Sequence, residues 1–184
     1  MIGPHERLAL ISCLAESSPS HYIGRTALMK YMYFLQTLRN VPLGYRFTLY
    51  SYGPFDSEVL SDLSRAESMN AVSSEAVLYP GGYGYEIRSA DGNEWLQKRA
   101  SDFLSKHKTD IDWVIQHFGT LTSAQLELAS TIIFVDREAA IGKEELTLNA
   151  IAKRVQDLKP HFSNQQIQLL AERLANERLL QSIR

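Results

Sequence analysis

Residues 45–63 read YRFTLYSYGPFDSEVLSDL, and this stretch decides how the first half of the chain folds. From Tyr45 to Tyr50 the side chains are predicted to alternate between two faces, as they do along a strand. The Gly53-Pro54 pair ends the strand, because proline cannot donate a ladder hydrogen bond and glycine permits a sharp turn. Asp56 follows as a predicted N-cap. The stretch is therefore predicted to form a strand, a tight corner and a helix.

The rest of residues 1–90 is predicted to surround this unit with helices and a hairpin. Apolar spacing predicts three helices, over 5–16, 25–39 and 57–68. The second is apolar over most of its circumference, which is typical of a central, buried helix. Two strand-like segments flank a Pro-Gly-Gly turn and predict a hairpin, over 71–79 and 83–88. We expect the 45–50 strand to be a third member of that sheet, and the order of elements predicts a winged-helix-like domain.

Residues 91–184 are predicted to form a helical lobe that packs with the first domain as one unit. A long helical region over 93–117 is expected to be interrupted near 106–110. Capping boxes at Thr122–Gln125 and Ser163–Gln166 predict the starts of two further helices, the last of which extends to Leu180. The segment 148–180 resembles a helix-turn-helix without a following hairpin. The predicted fold class is thus mainly α with a small antiparallel β-sheet.

Composition favours a globular, cytoplasmic protein. Of its 184 residues, 45% are apolar and 22% are charged, which is ordinary for a soluble domain. No apolar run approaches the roughly 20 residues that span a bilayer, and the N-terminus lacks the features of a signal peptide. The single cysteine, Cys13, permits no intramolecular disulfide. The net charge of −2 is spread evenly, which lowers the expectation of nucleic-acid binding.

Known catalytic and metal-binding patterns are not found in the sequence. The five histidines do not stand at ligand spacing, and no serine lies in a nucleophile elbow. The Gly81–Gly84 run precedes a strand rather than a helix, so it indicates a turn and not a phosphate loop. We therefore predict no enzyme activity, no cofactor and no metal. An enzyme would need a pocket that gathers Asp56, Glu58 or a histidine; the acidic residues of this helix are otherwise expected on a solvated face.

Aromatic residues on the predicted sheet suggest a protein-binding surface. Exposed tyrosines beside an arginine are typical of such surfaces. The predicted partner-binding residues are Arg46, Tyr50, Tyr52, Tyr83 and Tyr85. Alternatively, these tyrosines cover the edge of a helix.

DNA binding is the alternative function. In a winged helix the third helix, here 57–68, enters the major groove. This helix and its flanks carry four acidic residues and one arginine. Their net negative charge would repel the phosphates of a duplex and weaken binding. A second group of candidate DNA-binding residues lies on the 148–180 helices. Its basic side chains could contact phosphates, and its amide side chains could bind the edges of adenine bases. Its predicted members are Lys153, Arg154, Lys159, Gln165 and Gln168.

Several segments resemble a prokaryotic family. LMKYMYFL at 28–35 is similar to the "LxKxxYFL" helix of the YwgA-like proteins, which look related to the Panacea or SocA-like antitoxin domain. YGPF at 52–55, with Leu60 and Asp62-Leu63, resembles the family's "YGPF…L…DL" corner. Residues 126–132, and 158–163 with Ile167, resemble its later half.

This resemblance implies a largely helical, winged-helix-like protein. Panacea-type domains act through protein contacts, in toxin neutralisation or as a proteolytic adaptor. The resemblance supplies no catalytic motif. We therefore expect a non-catalytic interaction module with a protein partner, antitoxin-like or regulatory in a prokaryote.

Overall fold

The computed structural model describes residues 3–183, which are mainly α-helical with two small antiparallel sheets of two strands each. The predicted fold class is therefore confirmed. The helices are α1 Pro4–Ser17, α2 Arg25–Leu38, α3 Ser57–Ser68, α4 Asn93–Arg99, α5 Ser101–Lys106, α6 Lys108–Phe118, α7 Ser123–Ile141, α8 Leu148–Leu158 and α9 Asn164–Asn176. The strands are β1 Thr48–Tyr50, β2 Gly53–Phe55, β3 Val72–Tyr79 and β4 Gly82–Ser89.

The chain divides into two compact units. The first runs up to Thr48 and then over Phe55–Leu121, and the second comprises Leu49–Pro54 and the residues from Thr122 onward. This division differs from the predicted boundary after residue 90. The reason is that α1 packs against α4, α5 and α6, and α2 packs against α6, so these three helices belong to the first unit.

Helix α2 is the centre of the first unit, as its sequence predicted. Every residue from Leu28 to Leu35 is buried. The Phe34 ring stacks on Phe118 with a centroid separation of 4.1 Å, and Tyr33 makes an edge contact with Phe47 at 5.2 Å. Large aromatic rings bury much apolar area, so these contacts fix α2 against its neighbours.

The expected three-stranded sheet is wrong. Strand β1 pairs with β2, whereas β3 pairs with β4 in a separate sheet. The residue that adds to the β3–β4 hairpin is Ile23, which lies between α1 and α2 and exchanges backbone hydrogen bonds of 3.0 and 2.8 Å with Ile87. The winged-helix topology stays a prediction.

Side chains satisfy the backbone groups that were expected to join that sheet. The Gln36 amide donates to the Tyr45 carbonyl at 2.9 Å and accepts from the Tyr45 N–H at 3.0 Å. The N–H of Arg46 donates to the carboxylate of Asp56. A buried backbone group needs only one good partner. The chain at 45–46 therefore runs beside α2 and α3 without a strand partner.

Two helix boundaries in the later half also differ from prediction. The 93–117 region breaks at His107, within the expected interruption at 106–110, and also at Ala100, which was not predicted. Helix α9 ends at Asn176 and does not reach Leu180, because Arg178 has a left-handed φ of 58°. Beyond it, the backbone N–H groups of Gln181 and Ser182 donate to the buried Asp136 carboxylate. Both predicted capping boxes, at Thr122–Gln125 and Ser163–Gln166, are present.

The prediction that the acidic residues of α3 lie on a solvated face is wrong for Asp62, whose exposed fraction is 0%. Its Oδ2 lies 2.9 Å from Arg7 Nε and accepts from the Tyr45 hydroxyl at 2.8 Å. Its Oδ1 accepts from Arg65 at 2.8 Å, and Glu58 contacts both arginines, at 3.2 and 2.8 Å. A buried carboxylate requires such compensation, because desolvation of an unpaired charge is very costly.

The Tyr45 phenol stays protonated in this cluster. Burial raises its pKa, and the negative charge of Asp62 raises it further because a second negative charge beside the carboxylate is unfavourable. The hydroxyl therefore remains a donor to Asp62 throughout the neutral pH range.

Replacing Asp62 should destabilise the protein strongly. We expect Asp62→Asn to lower the free energy of unfolding by about 3 kcal/mol, because the half-buried Arg7 guanidinium and the buried Tyr45 hydroxyl lose their anionic acceptor. Urea denaturation followed by circular dichroism measures this change. The control Asp102→Asn, an exposed acid, should change stability by less than about 0.5 kcal/mol. Equal stability of the two variants would contradict the proposed role of Asp62.

Candidate functional site: the β3–β4 hairpin and the 148–180 helices

The predicted partner-binding residues are all exposed, but they lie on two hairpins rather than one sheet. Tyr50 and Tyr52 belong to the β1–β2 hairpin, in the second unit. Tyr83 and Tyr85 belong to β4, and Arg46 precedes β1; these three are in the first unit. The five predicted residues therefore do not lie together on one element.

One face of the β3–β4 hairpin is apolar and exposed. The strand register pairs Leu78 with Tyr83 and Ala76 with Tyr85, and directly opposed residues share a face of a sheet. Leu78 is 69% exposed and Tyr83 is 82% exposed. We call Leu78, Tyr83, Ala76 and Tyr85 the aromatic face. The sequence analysis missed Leu78, which the alternation of residues along β3 places on this face.

The opposite face braces the hairpin. The Tyr79 hydroxyl donates to the Glu86 carboxylate at 2.9 Å, and its ring covers Gly84, where a Cβ atom would come within 2.8 Å of the ring. On the aromatic face, the Arg25 guanidinium stacks over the Tyr85 ring at 3.5 Å from its centroid. The Tyr79 contacts link the two strands, and the Arg25 contact attaches β4 to α2.

The hydrogen bond to Glu86 raises the pKa of Tyr79 to about 12. The phenol donates to the carboxylate only when protonated, so the bond favours the neutral form. The stabilisation is present below the ordinary tyrosine pKa of about 10 and is lost as pH rises through about 12.

Glu86→Gln should shift one tyrosine titration in an ultraviolet absorbance experiment. Removing the carboxylate is expected to return the Tyr79 midpoint from about 12 towards about 10. The control is Glu75→Gln, since Glu75 is the cross-strand partner of Glu86 and makes the same change of charge. A titration curve that Glu86→Gln leaves unchanged would rule out this hydrogen bond in solution.

The prediction that Lys159 contacts phosphates is wrong, because its side chain is only 3% exposed. The ammonium donates to the carbonyl of Tyr50 at 3.2 Å and to the carbonyl of Ser51. It also lies 3.0 Å from the buried carboxylate of Glu127 on α7. Pro160 ends α8 here, and the lysine turns inward to hold the β1–β2 hairpin. The residue is therefore an anchor within the second unit.

The remaining members of the predicted nucleic-acid set do not form a basic surface. Arg154 pairs with Glu144, and this hydrogen bond raises the Arg154 pKa. Lys153 is exposed and has no ion pair within residues 3–183, whereas Gln165 is exposed and Gln168 is half-buried. Only one of the three predicted cations thus presents an uncompensated charge, which is little for a surface that must neutralise phosphates.

Lys159→Met should destabilise the protein by about 3 kcal/mol, because it removes the buried ammonium that pairs with the buried Glu127 carboxylate. The matched control Lys153→Met makes the same chemical change at an exposed position and should cost less than about 0.5 kcal/mol. Urea denaturation of both variants measures the difference. A phosphate-binding Lys159 would instead give two variants of equal stability.

Comparison with known proteins assigns no family. No protein-family model matches the chain, and no curated protein matches it significantly. The likeness to YwgA-like proteins therefore stays a prediction. Within the described residues, no three His, Cys, Asp or Glu side chains are grouped to hold a metal ion.

No single described helix is long and apolar enough to cross a bilayer; α6 and α7 meet the criterion only when taken together as a bent pair.

Proposed function

We propose that this chain is a non-catalytic protein-binding module that contacts its partner through the aromatic face of the β3–β4 hairpin. The observation that carries the proposal is the pairing of Leu78 and Tyr83, directly opposite each other and 69% and 82% exposed. Large apolar side chains that stand together in water indicate an interaction site. Tyrosine is among the residues that most often dominate binding energy at interfaces.

The bracing of the hairpin supports this function. The Ile23–Ile87 bridge fixes its base, and the Tyr79–Glu86 hydrogen bond links its two strands. A surface that is ordered before binding loses less conformational entropy when a partner docks. Tyr83 therefore stands on a supported strand rather than on a flexible loop.

The type of partner rests on the resemblance alone. Panacea-type domains act through protein contacts, so the proposed partner is a protein toxin or another component of a prokaryotic regulatory or defence system. The proposed role is that of an antitoxin-like protein or adaptor.

A DNA-binding regulator has less support. The burial of Lys159 and the pairing of Arg154 with Glu144 remove two of the cations on which it depended. Helix α3 offers no substitute, because its arginine, Arg65, is engaged with Glu58 and Asp62. Neither the 148–180 helices nor α3 presents the basic surface that phosphate contacts require.

A crosslinking experiment in the native host tests the proposed interface. A photoreactive phenylalanine analogue at position 83 should crosslink to one partner protein, and the same analogue at the exposed Trp95 should not. With that partner purified, Leu78→Ser combined with Tyr83→Ser should weaken binding about 30-fold or more, as expected when hot-spot side chains are lost.

Matched variants separate binding from folding. Trp95→Ser combined with Leu169→Ser removes an equal number of exposed apolar side chains elsewhere and should leave binding unchanged. All variants should unfold at the temperature of the unmodified protein, since surface changes cost little stability. Crosslinking at position 95 alone, or unchanged affinity of the hairpin variant, would refute the proposed interface.

A further inference from the structure

The second unit contains a groove that has no part in the proposed function. Its apolar walls come from three elements: Leu49 of β1, Phe134 and Val135 of α7, and Leu158 of α8. Leu158 is 47% exposed, although its side chain faces this concave surface. An apolar ligand would remove that surface from water, which is favourable in proportion to the area covered.

The size of the groove sets the size of its ligand. Its volume is 330 Å³, at the lower end of the range of about 300–1,000 Å³ that is usual for small-molecule sites. An engineered cavity of about 150 Å³ holds benzene in another protein. A single ring with a short chain therefore fits this groove.

The rim of the groove carries negative charge. Glu138 of α7 and Asp157 of α8 line it, are exposed and have no ion pair within residues 3–183. The third charged lining residue, Arg154, is neutralised by Glu144. Two uncompensated carboxylates on an apolar groove favour a cation and disfavour an anion of the same shape.

We propose that the groove binds a small organic amine, with a ring or short chain against the apolar walls and the ammonium at the Glu138 and Asp157 carboxylates. The apolar walls supply most of the affinity. The two carboxylates supply the selectivity, because they attract an ammonium group, gain little from a hydroxyl and repel a carboxylate. The site does not depend on the aromatic face of the β3–β4 hairpin.

Three matched probes test this proposal on the full chain: 2-phenylethylamine, 2-phenylethanol and phenylacetate. Amide NMR titrations should show shifts at Val135 and Leu158, with the amine bound about fivefold more tightly than the alcohol and phenylacetate weakest. The preference for the amine should decrease in high salt, because the carboxylates are exposed.

Two variants separate the charge from the apolar walls. Glu138→Gln with Asp157→Asn should reduce amine affinity about fivefold, to that of the alcohol, and leave the alcohol unaffected. The control Glu172→Gln with Asp102→Asn removes two negative charges outside the groove lining. It should change neither the affinity for the amine nor that for the alcohol. Leu158→Ser should weaken the binding of both the amine and the alcohol.

Several outcomes would overturn the proposal. Equal affinity for the amine and phenylacetate would remove the role of the carboxylates, as would an amine affinity that the Glu138 and Asp157 changes leave unaltered. Shifts confined to residues other than the groove lining would place the binding elsewhere. Binding of the peptide Lys-Phe-Lys without any binding of 2-phenylethylamine would assign the groove to a protein segment.

Discussion

The buried charge of Asp62 is the constraint on which the first unit depends. A carboxylate without solvent must be compensated, and here the compensation comes from Arg7 on α1, Tyr45 before β1 and Arg65 on α3 itself. Three separate segments therefore have to meet at one point. Because Tyr45 is fixed there, its backbone is available to Gln36 of α2, and the segment leading into β1 cannot join the β3–β4 sheet.

Lys159 is the corresponding constraint in the second unit, with the opposite charge. Its ammonium binds the carbonyls of Tyr50 and Ser51 and pairs with Glu127 of α7, so the tip of the β1–β2 hairpin is held by α7 and the end of α8. These two clusters also explain why counts of charged residues mislead about function. Glu58 and Asp62 are paired with Arg7 and Arg65, Arg154 with Glu144 and Lys159 with Glu127, so these charges contribute little to what a partner meets.

The surfaces that remain have two different chemistries. The first unit presents the aromatic face of the β3–β4 hairpin, where Leu78 and Tyr83 are exposed and for which we propose a protein partner. The second unit presents an apolar groove whose Glu138 and Asp157 favour a small cation. The exposure of Tyr83 follows the sequence prediction. The groove has no counterpart in the sequence prediction, because its lining residues come from separate elements that only the packing of α7 against α8 brings together.

The sequence by itself determined the local structure: the helices with their capping boxes, the burial of α2 and the β3–β4 hairpin. These features depend on side-chain periodicity and on hydrogen bonds between residues three or four apart, which a single stretch of sequence contains. Only the tertiary structure decided which charges are buried and which strands pair. Arg7 and Asp62 are separated by 55 residues, and Ser51 and Lys159 by 108. A local sequence pattern cannot predict these contacts, because a charge can be buried only if a partner distant in the sequence compensates it.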